Sequence, residues 1–198
     1  MYESLWPMWV TLGLVLVYFV KQWLHPARAT RLHAQLRQDW LQAVSSSKGT
    51  EVLAVQTIRN SLMSCTMTAT TATLGLMGGL TLLHSGWGDA VAAGRADVLQ
   101  LHTLAVLVLL GLSFISAMLA ARQWHHAGFV AGMPIDSPQR LQWLDVGQRS
   151  IRRAGHYYAL SVRLLMWCVP VLLVGISPLA GLIAAVVLLI VLATGIDR

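Results

Sequence analysis

The sequence predicts an all-α membrane protein, a four-helix transmembrane bundle with amphipathic cytoplasmic helices, and three observations lead there. Of 198 residues, 56% are hydrophobic and only 11% are charged, about half the charged share of a soluble domain. Four stretches, 5–24, 60–83, 99–121 and 164–193, reach the run of about 20 apolar residues that a helix needs to cross a bilayer. Twelve of the fourteen Lys and Arg fall in 21–59 and 122–163, and the positive-inside rule assigns that side to the cytoplasm. Residues 1–198 therefore read as one integral membrane domain, with cytoplasmic segments 25–59 and 122–163 and the N-terminus outside. The expected location is a bacterial inner membrane.

The first stretch reads as a retained helix, not a cleaved leader. Glu3 stands where a leader is basic, the apolar run is long, and no small-x-small site precedes Lys21. From Pro26, Leu32, Leu36, Trp40 and Val44 recur every four residues with Arg28, Arg31, Arg37 and Asp39 mostly off that line. The pattern predicts an amphipathic helix along the inner surface. "SSSKG" (45–49) breaks it, and Thr50 is placed to cap a helix that runs through Glu51, Gln56 and Arg59 into the second span. The segment 84–97, Gly- and Ala-rich with Trp87, predicts a short outer loop. After the third span, 125–139 predicts an inner loop, and Ser137–Pro138 the cap and first residue of the next helix, which carries Arg149, Arg152 and Arg153.

The last apolar stretch, 164–193, is roughly 45 Å long as a straight helix at 1.5 Å per residue, more than a hydrocarbon core of about 30 Å. Pro170 and Pro178 break it, and Ser177–Pro178 after Gly175 can start a new helix. The favoured expectation is one bent span. A hairpin of two short arms is the alternative.

"LAVQTIRNSLM" (53–63), preceded by Arg37 and Trp40 of "LRQDWLQAV" and followed by "VRLLMWCVPVLLVGISP" (162–178), resembles the integral membrane family called domain-of-unknown-function family 599. The matching positions are Trp40, Gln56, Arg59, Asn60, Ser61, Met63, Arg163, Pro170 and Pro178. The resemblance covers most of the chain, implies a four-helix membrane protein of bacteria and plants, and brings no assigned activity. The chain departs from the pattern at Trp167, where the family has Tyr, and in ending on Asp197 and Arg198 without a basic tail.

A pI near 10.0 is accounted for by topology and attraction to anionic lipid, so no nucleic-acid partner is expected. Cys65 and Cys168 lie inside apolar stretches as small hydrophobes. No GxSxG, phosphate-binding glycine loop or paired carboxylates occur, and no span holds an acidic residue, which argues against catalysis and against proton-driven transport.

The chemistry-bearing residues fall in three groups. Asn60, Ser64, Thr68, Thr71, Gly75 and Gly79 share one face of the second span by steps of three and four. They suit a helix-packing seam, for a homo-oligomer or a larger membrane complex. The rival reading has them line an ion or solute path in an oligomeric channel. Arg59 and Arg163 sit at the inner ends of spans, as snorkelling side chains or as a site for a lipid headgroup or other anion. His84 with His102, and His125 and His126 with His156, are candidate haem or metal ligands for a redox subunit, on spacing that matches no specific ligand pattern. No cofactor is predicted. Met63 and Met67 of "MSCTM" share a helix face that Cys65 does not, which favours packing over a copper site.

Overall fold

The computed structural model describes residues 6–25, 28–92 and 96–196. Every element among them is helical. In order they are α1 (Trp6–Leu24), α2 (Arg28–Ser46), α3 (Glu51–Ala92), α4 (Ala96–Ala131), α5 (Pro138–Val174) and α6 (Pro178–Val191), which ends in a π-helical turn, Leu192–Ile196. Three helices are long and apolar enough to cross a membrane, α1, α5 and the part of α4 from Leu101, and the apolar helix Pro178–Thr194 is shorter. This is a helical membrane bundle. The expected second span lies within α3, which falls outside that set because Thr and Gly occupy many of its positions.

Helices α3, α4 and α5 are 42, 36 and 37 residues long, about 63, 54 and 56 Å at 1.5 Å per residue. Each is far longer than a hydrocarbon core of about 30 Å. In α3 and α4 part of the extra length comes from stretches expected to be loops, whereas α5 joins the helix expected from Pro138 to the start of the last apolar stretch. Helix α3 continues through Ala92, so most of the anticipated outer loop is helical; 93–95 and the side chain of Trp87 lie outside the described residues. Helix α4 continues to Ala131, leaving 132–137 as the inner turn. Trp124, Ala127, Val130 and Ala131 are buried on one side of that extension, and burial at steps of three and four overrides the weak helix propensity of His125, His126 and Gly128.

The chain divides into two compact units. Unit 1 comprises 1–28, 71–113 and 162–198, and unit 2 comprises 29–70 and 114–161. In unit 1, α1 packs against α6. Their outer faces expose large apolar side chains, among them Leu16, Val17, Trp23, Ile183 and Ile190, as lipid-facing helices do. Thr11 is wholly buried and donates its hydroxyl to the Pro7 carbonyl (2.8 Å).

The last apolar stretch is two helices. Gly175 and Ile176 close the end of α5 with bonds to Leu172 and Leu173 (3.0 and 3.1 Å). Ser177, extended at φ −152°, then leads into Pro178 as the first residue of α6. A Cβ on Gly181 would stand 3.0 Å from the Pro170 carbonyl oxygen and 2.8 Å from the Val174 nitrogen, so α6 folds back on the end of α5. The single bent span expected from the sequence is therefore replaced by the hairpin. A turn at Gly175–Ser177 needs only local bonds, whereas a bent helix of that length would overrun the bilayer.

Unit 2 is a four-helix assembly whose core contains Leu41, Val44, Ala54, Ile58, Ala120, Trp124 and Ile151. Helix α2 packs into this core along one face. Ala29, Leu41 and Val44 are buried and Ala34, Arg37 and Gln38 half-buried, whereas Leu32 and Leu36 of the anticipated apolar line stay exposed. Gly49 (φ +83°) makes the turn after α2, a conformation that glycine takes without a Cβ penalty. Thr50 sits where a cap was expected, but its hydroxyl donates to the Val44 and Ser47 carbonyls (2.8 and 2.6 Å), tying the turn to α2. Ser137 does cap α5, accepting from the Arg140 amide (3.3 Å). Arg140, 1% exposed, donates to the Met133 carbonyl and to Ser45 Oγ (3.2 Å). It thereby fastens the end of α2 to the turn between α4 and α5.

Candidate functional site

The six residues read as one stripe have different neighbours. In unit 1, Gly75 and Gly79 face α4: a Cβ on Gly75 would meet Leu110 at 3.1 Å, and one on Gly79 would meet Leu107 at 2.9 Å. The glycine pair is thus filled by leucines of the same chain, and it sets how closely α3 and α4 approach. Gly79→Leu is expected to cost about 1–3 kcal/mol by overpacking and to lower the melting temperature of the monomer in mild detergent. Unchanged melting with loss of an oligomer would return the pair to an intermolecular seam.

Asn60 and Thr71 are exposed, and Ser64 and Thr68 are half-buried. The hydroxyls of this helix bond back to it: Ser64 to the Asn60 carbonyl (3.2 Å), Thr68 to that of Ser64 (2.9 Å), Thr70 to that of Thr66 (3.0 Å) and Thr81 to that of Met77 (2.9 Å). Each of these donors is satisfied without water or a solute. The outward residues of α3 in unit 1 include Thr71, Leu74, Met77, Gly78 and Thr81, with Leu74 65% and Met77 62% exposed, and Thr73 and Leu80 are exposed beside them. Gly78 has open space where a Cβ would stand.

The two arginines also separate. Arg59 is exposed on α3 in unit 2. Arg163, expected at an interface, is 6% exposed in unit 1, and it is engaged with its surroundings rather than free. One turn further along α5, Trp167 is wholly buried with its ring 5.5 Å from that of Tyr18. Snorkelling requires an open path to water, and burial against neighbouring helices closes it. Arg163 is therefore part of the packed interior of its unit.

The candidate histidines have different surroundings. His102 Nε2 lies 2.5 Å from the Val171 carbonyl oxygen. The Gly175 amide bonds to Leu172 instead of to Val171, so a donating imidazole caps the open end of α5, and that nitrogen is not available to a metal. His84 is exposed, as are His125, His126 and His156. The ring of His156 stands edge-on to Tyr157 at 6.1 Å. Among the described residues, no three of His, Cys, Asp and Glu stand close enough to hold a metal ion. In "MSCTM", Cys65 is wholly buried while Met63 and Met67 are 48% and 65% exposed, on opposite sides of α3.

One arrangement was missed in the sequence. The guanidinium of Arg37 on α2 rests on Gly155 of α5, in the space a Cβ would take. The single hint is a glycine within a run of helix formers on α5, a close-approach signal that does not say what approaches.

A family model described as "Protein of unknown function, DUF599" matches residues 4–198. No curated protein and no solved structure matches the chain. The comparisons thus bring no enzyme activity to it.

Proposed function

The chain belongs to the DUF599 family of proteins of unknown function, and from that premise we propose that it is a non-enzymatic membrane protein that works by association in the bilayer. It resides in a bacterial inner membrane with its N-terminus outside, and the outward face of α3 in unit 1 docks against a membrane helix of a second copy or of a larger complex. The observation that carries this reading is the character of that face. Thr71, Leu74, Met77, Gly78 and Thr81 are small or flexible side chains that stay exposed after the glycine pair has been filled by α4. Small residues allow close backbone approach in lipid, where packing drives helix association. Methionine adapts to irregular partner surfaces. The hydroxyls bonded to their own helix reduce the need for a wet path along it.

Cross-linking tests the reading. With Cys65 and Cys168 replaced by alanine, Met77→Cys is expected to form a disulfide-linked dimer on mild oxidation in native membranes, or a mixed disulfide with a partner subunit. Ala72→Cys, at a wholly buried position, should give neither, and Gly78→Leu should suppress the Met77→Cys product. A monomeric Met77→Cys protein with no partner would sink the docking reading. Solute or ion flux through liposomes, abolished by Thr68→Leu, would replace it with a channel.

A further inference from the structure

We propose that Arg37, seated on Gly155 between α2 and α5, binds the phosphate of an anionic phospholipid. Four observations within unit 2 lead there. The guanidinium occupies space that a Cβ on Gly155 would take, so the slot exists only because position 155 is glycine. Arg37 is half-buried, and its Nε is shut off from solvent with no hydrogen-bond partner among the described residues. Among those residues it has no ion pair: Asp136 pairs with Lys48 (2.8 Å) and Asp145 with Arg149 (2.5 Å), Glu51 lies near Arg140, and Asp39 is exposed. Unit 2 as a whole holds nine of the fourteen Lys and Arg and four of the eight acids.

Burial depresses the pKa of Arg37 from its ordinary value, the sign of a charge that has lost water without gaining an acceptor. Such a group is costly unless it is paired. A phosphate supplies what is missing, since its oxygens match the planar fork of a guanidinium in a way that one lysine ammonium cannot. Arg152, exposed and one turn before Gly155 on the same side of α5, adds a second cation. The apolar flank favours a lipid over a free ion. Leu32 and Leu36, on the exposed side of the same helix, are 51% and 64% exposed, and they suit acyl chains where basic residues meet anionic headgroups.

The full chain, purified in mild detergent, would be titrated with phosphatidylglycerol, phosphatidylcholine and inorganic phosphate, with binding read by native mass spectrometry and by melting temperature. Wild type is expected to bind phosphatidylglycerol saturably and phosphatidylcholine weakly. Arg37→Gln should lose about tenfold or more in affinity, the scale of a charge-assisted hydrogen bond, and Arg37→Lys should recover only part of it. Gly155→Ala should reproduce the loss while still folding, because it displaces the free end of a flexible side chain. Arg122→Gln, which removes an exposed arginine of the same unit, should bind as wild type. Equal Arg37-dependent binding of inorganic phosphate would assign the site to the free ion instead of the lipid. Unaltered phosphatidylglycerol binding by Arg37→Gln would overturn the proposal.

Discussion

Trp167→Ala is expected to cost about 3 kcal/mol of stability, the low end of the range for removing a buried tryptophan. The ring is wholly buried in unit 1 and packs at 5.5 Å against Tyr18 of α1. In a membrane the unfolded helices still lie in lipid, so the transfer of the ring out of water contributes little. What remains is the void itself and the dispersion attraction that its lining forfeits, and helices held by short turns cannot close such a gap. Trp167→Phe is expected to stay within about 1 kcal/mol of wild type, as a volume-retaining aromatic change. The indole Nε1 has no hydrogen-bond partner among the described residues, so its removal leaves no acceptor stranded. Thermal unfolding in mild detergent checks both variants. Equal losses for Ala and Phe would mean that the indole nitrogen, not the ring, holds α1 to α5.

The parts of this fold that were legible in the sequence are those written locally. Ser137–Pro138 and Ser177–Pro178 start helices where the dipeptides stand, because the fixed φ of proline, joined at Ser137 by a side-chain cap, acts within one turn. The break after Gly175 was visible for the same reason, but the direction taken by α6 was not. It depends on Gly181 finding Pro170 and Val174, a contact of the folded chain. The stretches 84–97 and 125–139 looked like loops because glycine and histidine are poor helix formers. They are largely helical, and for the second the burial of Trp124, Ala127 and Ala131 gives the reason.

The candidate sites follow the same division. That Gly75 and Gly79 belong to a close helix contact was legible from composition; that Leu107 and Leu110 fill it was not. Arg163 and Arg59 look alike in sequence, each at the edge of an apolar run, yet one is enclosed and the other exposed. Arg37 is one of several basic residues on α2, and only its position against Gly155 distinguishes it. Charge can be counted in a sequence, but whether a charge retains its water is decided by packing.

Arg140→Leu is expected to destabilise unit 2 by about 3 kcal/mol. The side chain is 1% exposed and holds both the Met133 carbonyl and Ser45 Oγ. Hydrogen bonds from a charged donor contribute about 1.5–3 kcal/mol each, and relief of the buried charge offsets part of their loss. Arg140→Lys keeps the charge but cannot fork to both acceptors, so it should recover roughly half. The ion pair between Lys48 and Asp136 spans the same two turns with side chains 78% and 75% exposed. Exposed pairs of this kind seldom register, so Lys48→Ala should melt as wild type does. If Lys48→Ala lowered the melting temperature as much as Arg140→Leu, the buried fork would not be what fastens these turns. The loss should also reach the middle of α2, because the helix that carries Ser45 carries Arg37. Loosened from the turn, α2 no longer holds the guanidinium on Gly155, and phosphatidylglycerol affinity should fall in Arg140→Leu with both Arg37 and Gly155 intact. Full phosphatidylglycerol binding by a destabilised Arg140→Leu would show that Arg37 keeps its seat without that staple.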